Sequence, residues 1–171
     1  QLQQIKSAGA DLIFLPIYYQ EAALILTQAH NAGLETKFFG CDGLDGVIKQ
    51  LGNDAAYAEG VMLLTAYTSD SKEEKSAAFT KAYSEKYNDS NPNQFAADAY
   101  DAVYTIKVAL EKADVKDASI SASELCDLLK KAMTEIEVDG VTGHMVWDES
   151  GEPTKDPKAM QIVDGAYTAL D

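Results

Sequence analysis

The sequence predicts an α/β protein built around a parallel sheet. Three short apolar runs, Ala10 to Tyr19, Thr36 to Gly40 and Gly60 to Tyr67, alternate with stretches at helical spacing. Large apolar side chains then vanish over Thr68 to Glu74, which reads as a crossing between two bodies. Beyond that crossing the periodicity is helical as far as Met133 and strand-like afterwards.

Each element has its own signal. Gln1 to Ala8 reads as the middle of an amphipathic helix, with Leu2, Ile5 and Ala8 three apart and Gly9 as its stop; the reading expects a fragment or a processed piece. Ala10 to Tyr19 is a continuous apolar run, the pattern of a parallel strand buried on both faces. Gln20 to Asn31 places Ala22, Ala23, Leu26 and Ala29 on one helical face, and Gly33 supplies a left-handed stop. After the strand at Thr36 to Gly40, a short helix is expected over Leu44 to Leu51. Right-handed crossovers join such βαβ units.

Three helices follow the crossing: Lys75 to Tyr87, Gln94 to Lys112 and Ser121 to Met133, the last opening on Ser121 and Glu124 at capping-box spacing. Their apolar stripes need a partner surface, and no strand lies between them to supply one. The tail alternates like strands at Val141 to Trp147 and Ala159 to Val163, joined by the polar turn Asp148 to Pro157. Asp164-Gly165 is the dipeptide of a type I′ hairpin leading into Ala166 to Leu170.

Composition excludes several function classes. Asp plus Glu number 28 against 14 Lys plus Arg, a net charge of −14, which opposes binding to nucleic acid or anionic lipid. The apolar runs fall short of the roughly 20 residues of a membrane-spanning helix. Cys41 and Cys126 form no disulfide framework, and pairing or free thiols both stay open. His30 and His144 lack a Cys or carboxylate at metal-ligand spacing and read as surface or core filler, so no metal is expected. There is no nucleophile elbow and no phosphate loop; Gly40, Gly43 and Gly46 do not make a dinucleotide fingerprint. No catalytic residue and no cofactor are expected, and an α/β enzyme of flavodoxin-like architecture is the weaker reading.

Parallel α/β sheets bind ligands at the carboxyl ends of their strands. Three pieces fall there: Ile17 to Glu21, Gly40 to Leu44, and Ala66 to Thr68. Asp42, between two glycines and near two tyrosines, suits a small cationic group through charge-assisted hydrogen bonds and cation–π attraction. Asp42 reads equally well as the cap of the helix beginning near Leu44. Tyr18 and Tyr19 point to opposite faces, one to core and one to pocket, without the spacing deciding which. Phe79, Tyr83, Tyr87, Tyr100 and Tyr104 at helical spacing are expected in the core, Asp98 and Asp101 on one solvated face, and Ser71 to Glu74 in a hydrated linker.

In this order the stretches QIKSAGADLIFLPIYYQEAALILTQAHNAGL, KFFGCDGLDG, AAYAEGV, FAADAYDAVYTIKVALEKA and DGVTGHMVWDESGEPTKDPKAMQIVDGAY resemble the C-terminal half of type I periplasmic binding proteins. The resemblance is to the branched-chain amino-acid substrate-binding family of ABC importers. It implies two α/β lobes joined by three crossings that clamp a ligand as they close. Residues 1–67 would be most of the parallel sheet of the second lobe, 68–74 the crossing linker, 75–137 the C-terminal helices of the first lobe, and 138–171 the return strands, hairpin and last crossing. The N-terminal half of the family pattern is missing.

The same resemblance implies that Asp42 binds the ligand's α-ammonium, that Tyr18 is a pocket tyrosine, and that Phe95 lies near an aromatic wall given by the first lobe. The groups that grip the α-carboxylate belong to the family's N-terminal half, so this piece alone is expected to bind amino acids weakly or not at all. The partners implied are a small amino acid and a membrane permease, with no nucleic acid; a homodimer through surfaces left uncovered is a further expectation. The location implied is the periplasm or the cell exterior, lipid-anchored in some members. A receptor or sensor region on the same fold is the alternative, and which amino acid is bound stays open.

Overall fold

Gly9 ends the first helix, α1 (Leu2–Ala8), in the left-handed conformation at φ 66°, with its amide on the carbonyls of Ile5 and Lys6. In this computed structural model, which describes residues 1–88 and 90–170, α1 leads into β1 (Leu12–Leu15), α2 (Tyr19–Asn31), β2 (Lys37–Gly40), α3 (Val47–Leu51) and β3 (Met62–Thr65). A 3₁₀ turn over Asp42–Leu44 precedes α3, and a 3₁₀ stretch over Gly52–Ala58 follows it. Then come α4 (Glu74–Lys86), α5 (Gln94–Lys112), α6 (Ala122–Met133), β4 (Glu137–Asp139), β5 (His144–Val146), β6 (Lys158–Val163) and β7 (Ala166–Ala169). The chain divides into two compact units, residues 1–68 with 157–171, and residues 69–156.

The first unit holds a five-stranded sheet in the order β1-β2-β3-β6-β7. Strands β1, β2 and β3 run parallel, whereas β6 is antiparallel to β3, with Leu63 opposite Met160, and β7 is antiparallel to β6. Asp164 at φ 51° and Gly165 at φ 74° make the two-residue turn between β6 and β7, as the Asp-Gly pair requires. One face of the sheet carries Leu15, Phe38, Leu63, Met160 and Ile162 against Ala22, Ala23, Leu26 and Ala29 of α2 and Val47 and Leu51 of α3. Lys6 donates to the carbonyl of Ala32 at 2.6 Å, so α1 also ties down the C-terminal end of α2.

The opposite face departs from the expectation of a doubly buried strand. Leu12 and Phe14 are 46% and 51% exposed, and the strand spans four residues instead of ten. Pro16 has no N–H to extend the ladder, and β1 lies at an edge of the sheet; on its outward face the Phe14 ring packs on Phe39, the ring centroids 5.6 Å apart.

The second unit packs its helices on a two-stranded antiparallel sheet of β4 and β5. Val138 and Met145 from that sheet, Ile136 beside it, Ala109 from α5 and Ala132 from α6 form its core. Asn93 caps α5 by accepting from the amide of Ala96 at 3.1 Å, and Ser121 caps α6 by accepting from the amide of Glu124 at 3.2 Å. The two strand-like tail segments joined by Asp148 to Pro157 go to different sheets: β5 pairs with β4 in this unit, and β6 joins the larger sheet.

Two further expectations are corrected here. The aromatic residues of α4 and α5 form a surface run, Tyr87, Tyr83, Phe79, Tyr100 and Tyr104, with successive ring centroids 4.5 to 5.9 Å apart and Tyr87, Tyr100 and Tyr104 exposed. The face that α5 buries is instead the one with small residues four apart, Ala97, Asp101, Thr105 and Ala109, which lets neighbouring backbone approach closely. Asp101 is therefore 4% exposed and not solvated, while Asp98 meets Lys155 at 3.0 Å.

Candidate ligand site at the carboxyl ends of the parallel strands

The turns that leave β1 and β2 touch. A Cβ on Gly43 would lie 2.5 Å from the carbonyl oxygen of Ile17 and 3.4 Å from the Cα of Tyr18, so only glycine admits this approach. Tyr18 sits at the N-cap of α2 in extended conformation, its carbonyl accepting from Ala22 at 3.0 Å. Its side chain is 61% exposed, whereas Tyr19 is half-buried and packs on the core and against Gly46. The alternation left open by the sequence resolves with Tyr18 outward and Tyr19 inward.

Asp42 is exposed and opens the 3₁₀ turn, where its carbonyl accepts from the amide of Asp45 at 3.0 Å. The helix expected at Leu44 begins at Val47, its N-cap is Gly46 at φ 109°, and it has no side-chain cap. Asp42 thus does not cap that helix, because the 3₁₀ turn and the buried Asp45 intervene. Structure and chemistry together leave Asp42 as an outward carboxylate on a turn pinned against the Tyr18 turn.

In the third piece, at the end of β3, Thr65 and Tyr67 bond to each other. Thr65 donates its hydroxyl to the carbonyl of Tyr67 at 2.9 Å and accepts from the amide of Tyr67 at 3.2 Å, with both residues buried. Phe95 belongs to the other unit, half-buried in the first turn of α5, and enters the site only through the family resemblance. Tyr18 and Asp42 are brought to one end of one sheet.

Sequence reading missed Tyr167. Its phenolic oxygen accepts from the amide of Gly46 at 2.9 Å across a separation of 121 residues, which no local pattern could announce. Burial pushes its phenol up from 10.0 to about 12. The unfolded chain ionises this phenol near pH 10 and the folded chain only near 12. Stability from this group is therefore complete below pH 10 and is lost as the pH rises to about 12. The loss is on the order of a few kcal/mol. Urea denaturation of Tyr167→Phe against the parent between pH 9 and 12 should show the smaller alkaline loss in the variant; equal losses would refute the assignment.

Residues 1–166 match the family model described as periplasmic binding protein. The chain belongs to the periplasmic binding protein family. Over 152 residues it is 31% identical to the leucine-, isoleucine-, valine-, threonine- and alanine-binding protein of Pseudomonas aeruginosa, a match covering 88% of this chain and 38% of the relative. It is 27% identical to the Leu/Ile/Val-binding protein of Escherichia coli over 87% of this chain and 37% of that one. Among solved structures, a leucine binding protein from Thermotoga maritima superposes with a TM-score of 0.83 at 25% identity, covering all of this chain and 47% of that one. The isoleucine complex of a branched-chain amino acid transporter substrate binding protein from Streptococcus pneumoniae gives 0.74 at 29% identity, over 93% and 43%. As a periplasmic binding protein, this chain has the type I fold expected from its motifs, and it spans well under half the length of the curated relatives it matches. The family is one of substrate-binding proteins.

Proposed function

We propose that this chain supplies the ammonium-binding part of an amino-acid site in an exported solute-binding protein that hands its ligand to an ABC permease. Asp42 carries the reading. It is an exposed carboxylate on a turn that touches the Tyr18 turn, at the ligand-binding edge of an α/β sheet, in a family whose named relatives bind amino acids. Its oxygens can accept charge-assisted hydrogen bonds worth about 1.5–3 kcal/mol each, and a tyrosine face adds about 0.5–2 kcal/mol of cation–π attraction. Set against the cost of association, such a contact set supports only weak binding, of millimolar order or below. Branched-chain amino acids are the proposed ligands because the relatives' names converge on them. The periplasm or the cell surface is the proposed location, with a lipid anchor as its surface-bound form.

Amide NMR of the 171-residue chain tests this. Leucine and isoamylamine should both shift the amides of residues 17–19 and 41–43 with millimolar midpoints, while 4-methylpentanoate, which lacks the ammonium, should not. Asp42→Ala should remove the response. An undiminished response in the variant would sink the ammonium assignment, and micromolar leucine binding by this chain would sink the reading of it as only part of the site.

A further inference from the structure

We infer that Tyr167, at the far end of the sequence, is the positioning residue that holds the Asp42 turn in its ligand-ready form; the inference rests on the reading of Asp42 as a ligand contact. The segment from Asp42 to Val47 is held to the core by the buried side chains of Leu44 and Val47, and one polar contact reaches it from the end of the sequence. Helix α3 is five residues long and lacks a side-chain cap, and its N-cap, Gly46, stands at φ 109°, where a residue with a Cβ is strained. The missing cap is supplied from another strand: the phenol of Tyr167 takes the Gly46 amide at 2.9 Å.

Tyr167 itself is fixed by β7, where it faces Ile162, and by contact with the apolar core of the sheet. The Tyr19 ring lies against the same glycine, 3.4 Å from where a Cβ would be. Gly46 is thereby held between two aromatic residues, one from the element that follows β1 and one from the last strand. Asp42 is four residues before this clamp, and the amide of Asp45 closes the intervening 3₁₀ turn onto the carbonyl of Asp42. A phenylalanine at 167 keeps the ring packing and removes only the oxygen, so the Gly46 amide loses its partner and the turn gains an open alternative.

Cys41, beside Asp42 and half-buried, is a built-in probe of that opening, and the exposed Cys126 in the other unit is its internal reference. In the 171-residue chain, Tyr167→Phe should raise the ratio of Cys41 to Cys126 alkylation by N-ethylmaleimide about five- to tenfold. The same variant should weaken the leucine-induced amide shifts at residues 41–43 by a similar factor, with the melting of the second unit unchanged. An unaltered alkylation ratio would overturn the inference. So would a raised ratio with an undiminished leucine response, since the phenol would then secure the fold of the turn without serving the ligand. Asp42→Ala, run beside it, reports separately on the ligand reading: its failure to change the leucine response removes Asp42 from the site whatever the alkylation ratio shows.

Discussion

Asp101→Ala should unfold the second unit far more readily than the first. The Asp101 carboxylate is buried on α5 and accepts from the amide of Val141 at 2.8 Å, the amide of Thr142 at 2.8 Å and the hydroxyl of Thr142 at 2.5 Å. Ser76 of α4 holds the same loop, donating its hydroxyl to the carbonyl of Val141 at 2.6 Å. The loop between β4 and β5 is thus anchored to two helices through short polar contacts, and Gly140 has no room for a Cβ because the Asp101 carboxylate occupies that space. Alanine would strand two buried amides at about 1–3 kcal/mol each and remove a charge-assisted contact to the hydroxyl, an expected loss of about 3–5 kcal/mol. That is a large share of a domain's total of about 5–15 kcal/mol. Asparagine should rescue little, because its NH₂ group would face one of the two amide donors. Hydrogen exchange read separately on the α5 amides and the β2 amides measures it: protection should collapse on α5 and persist on β2. Equal protection on both in the variant would mean that the loop has another anchor.

Gly43→Val should separate the two ligand turns. The Cβ it introduces meets the Ile17 carbonyl oxygen at 2.5 Å and its carbon at 3.2 Å, and these are backbone atoms that have no rotamer to escape into. One turn must move, at a cost of about 1–3 kcal/mol typical of overpacking. Because Asp42 is the neighbour on one side and Tyr18 follows Ile17 on the other, the displacement falls on both candidate contacts. The urea midpoint should drop and the amide response of residues 17–19 and 41–43 to leucine should disappear together. A lower midpoint with an intact leucine response would show that the turns need not touch for the ligand to bind.

Much of this architecture was legible in the sequence because its signals are local. The i, i+3, i+4 alanines and leucine of α2, Gly9 and the Asp164-Gly165 turn each fix their own conformation within a few residues, and the apolar run Ala10 to Tyr19 marks a strand, though one that covers only Leu12–Leu15. What escaped was decided by distant partners. Asp101 reads as one more surface acid until the Val141 loop, forty residues on, is folded over it. The tyrosines of α4 and α5 carry the spacing of a core stripe, yet the closer packing goes to the small residues Ala97, Thr105 and Ala109. In the candidate site, Asp42 and Tyr18 were legible from their place after strands, since the rule about strand ends needs only element order. Tyr167 was not, for its partner lies in another strand's turn.

The placement of β6 also governs the order in which the protein can form. Residues 69–156 are contiguous, whereas the larger sheet needs Met160 to pair with Leu63 across the whole of that insert. At a synthesis rate of about 5–20 residues per second, the edge of β3 stays unpaired for on the order of 5–20 seconds after it emerges. Over that interval the helical unit is synthesised, and it is complete before Met160 arrives. Met62 to Thr65 wait as an open strand edge, a stretch of the nascent chain exposed to mispairing until β6 arrives.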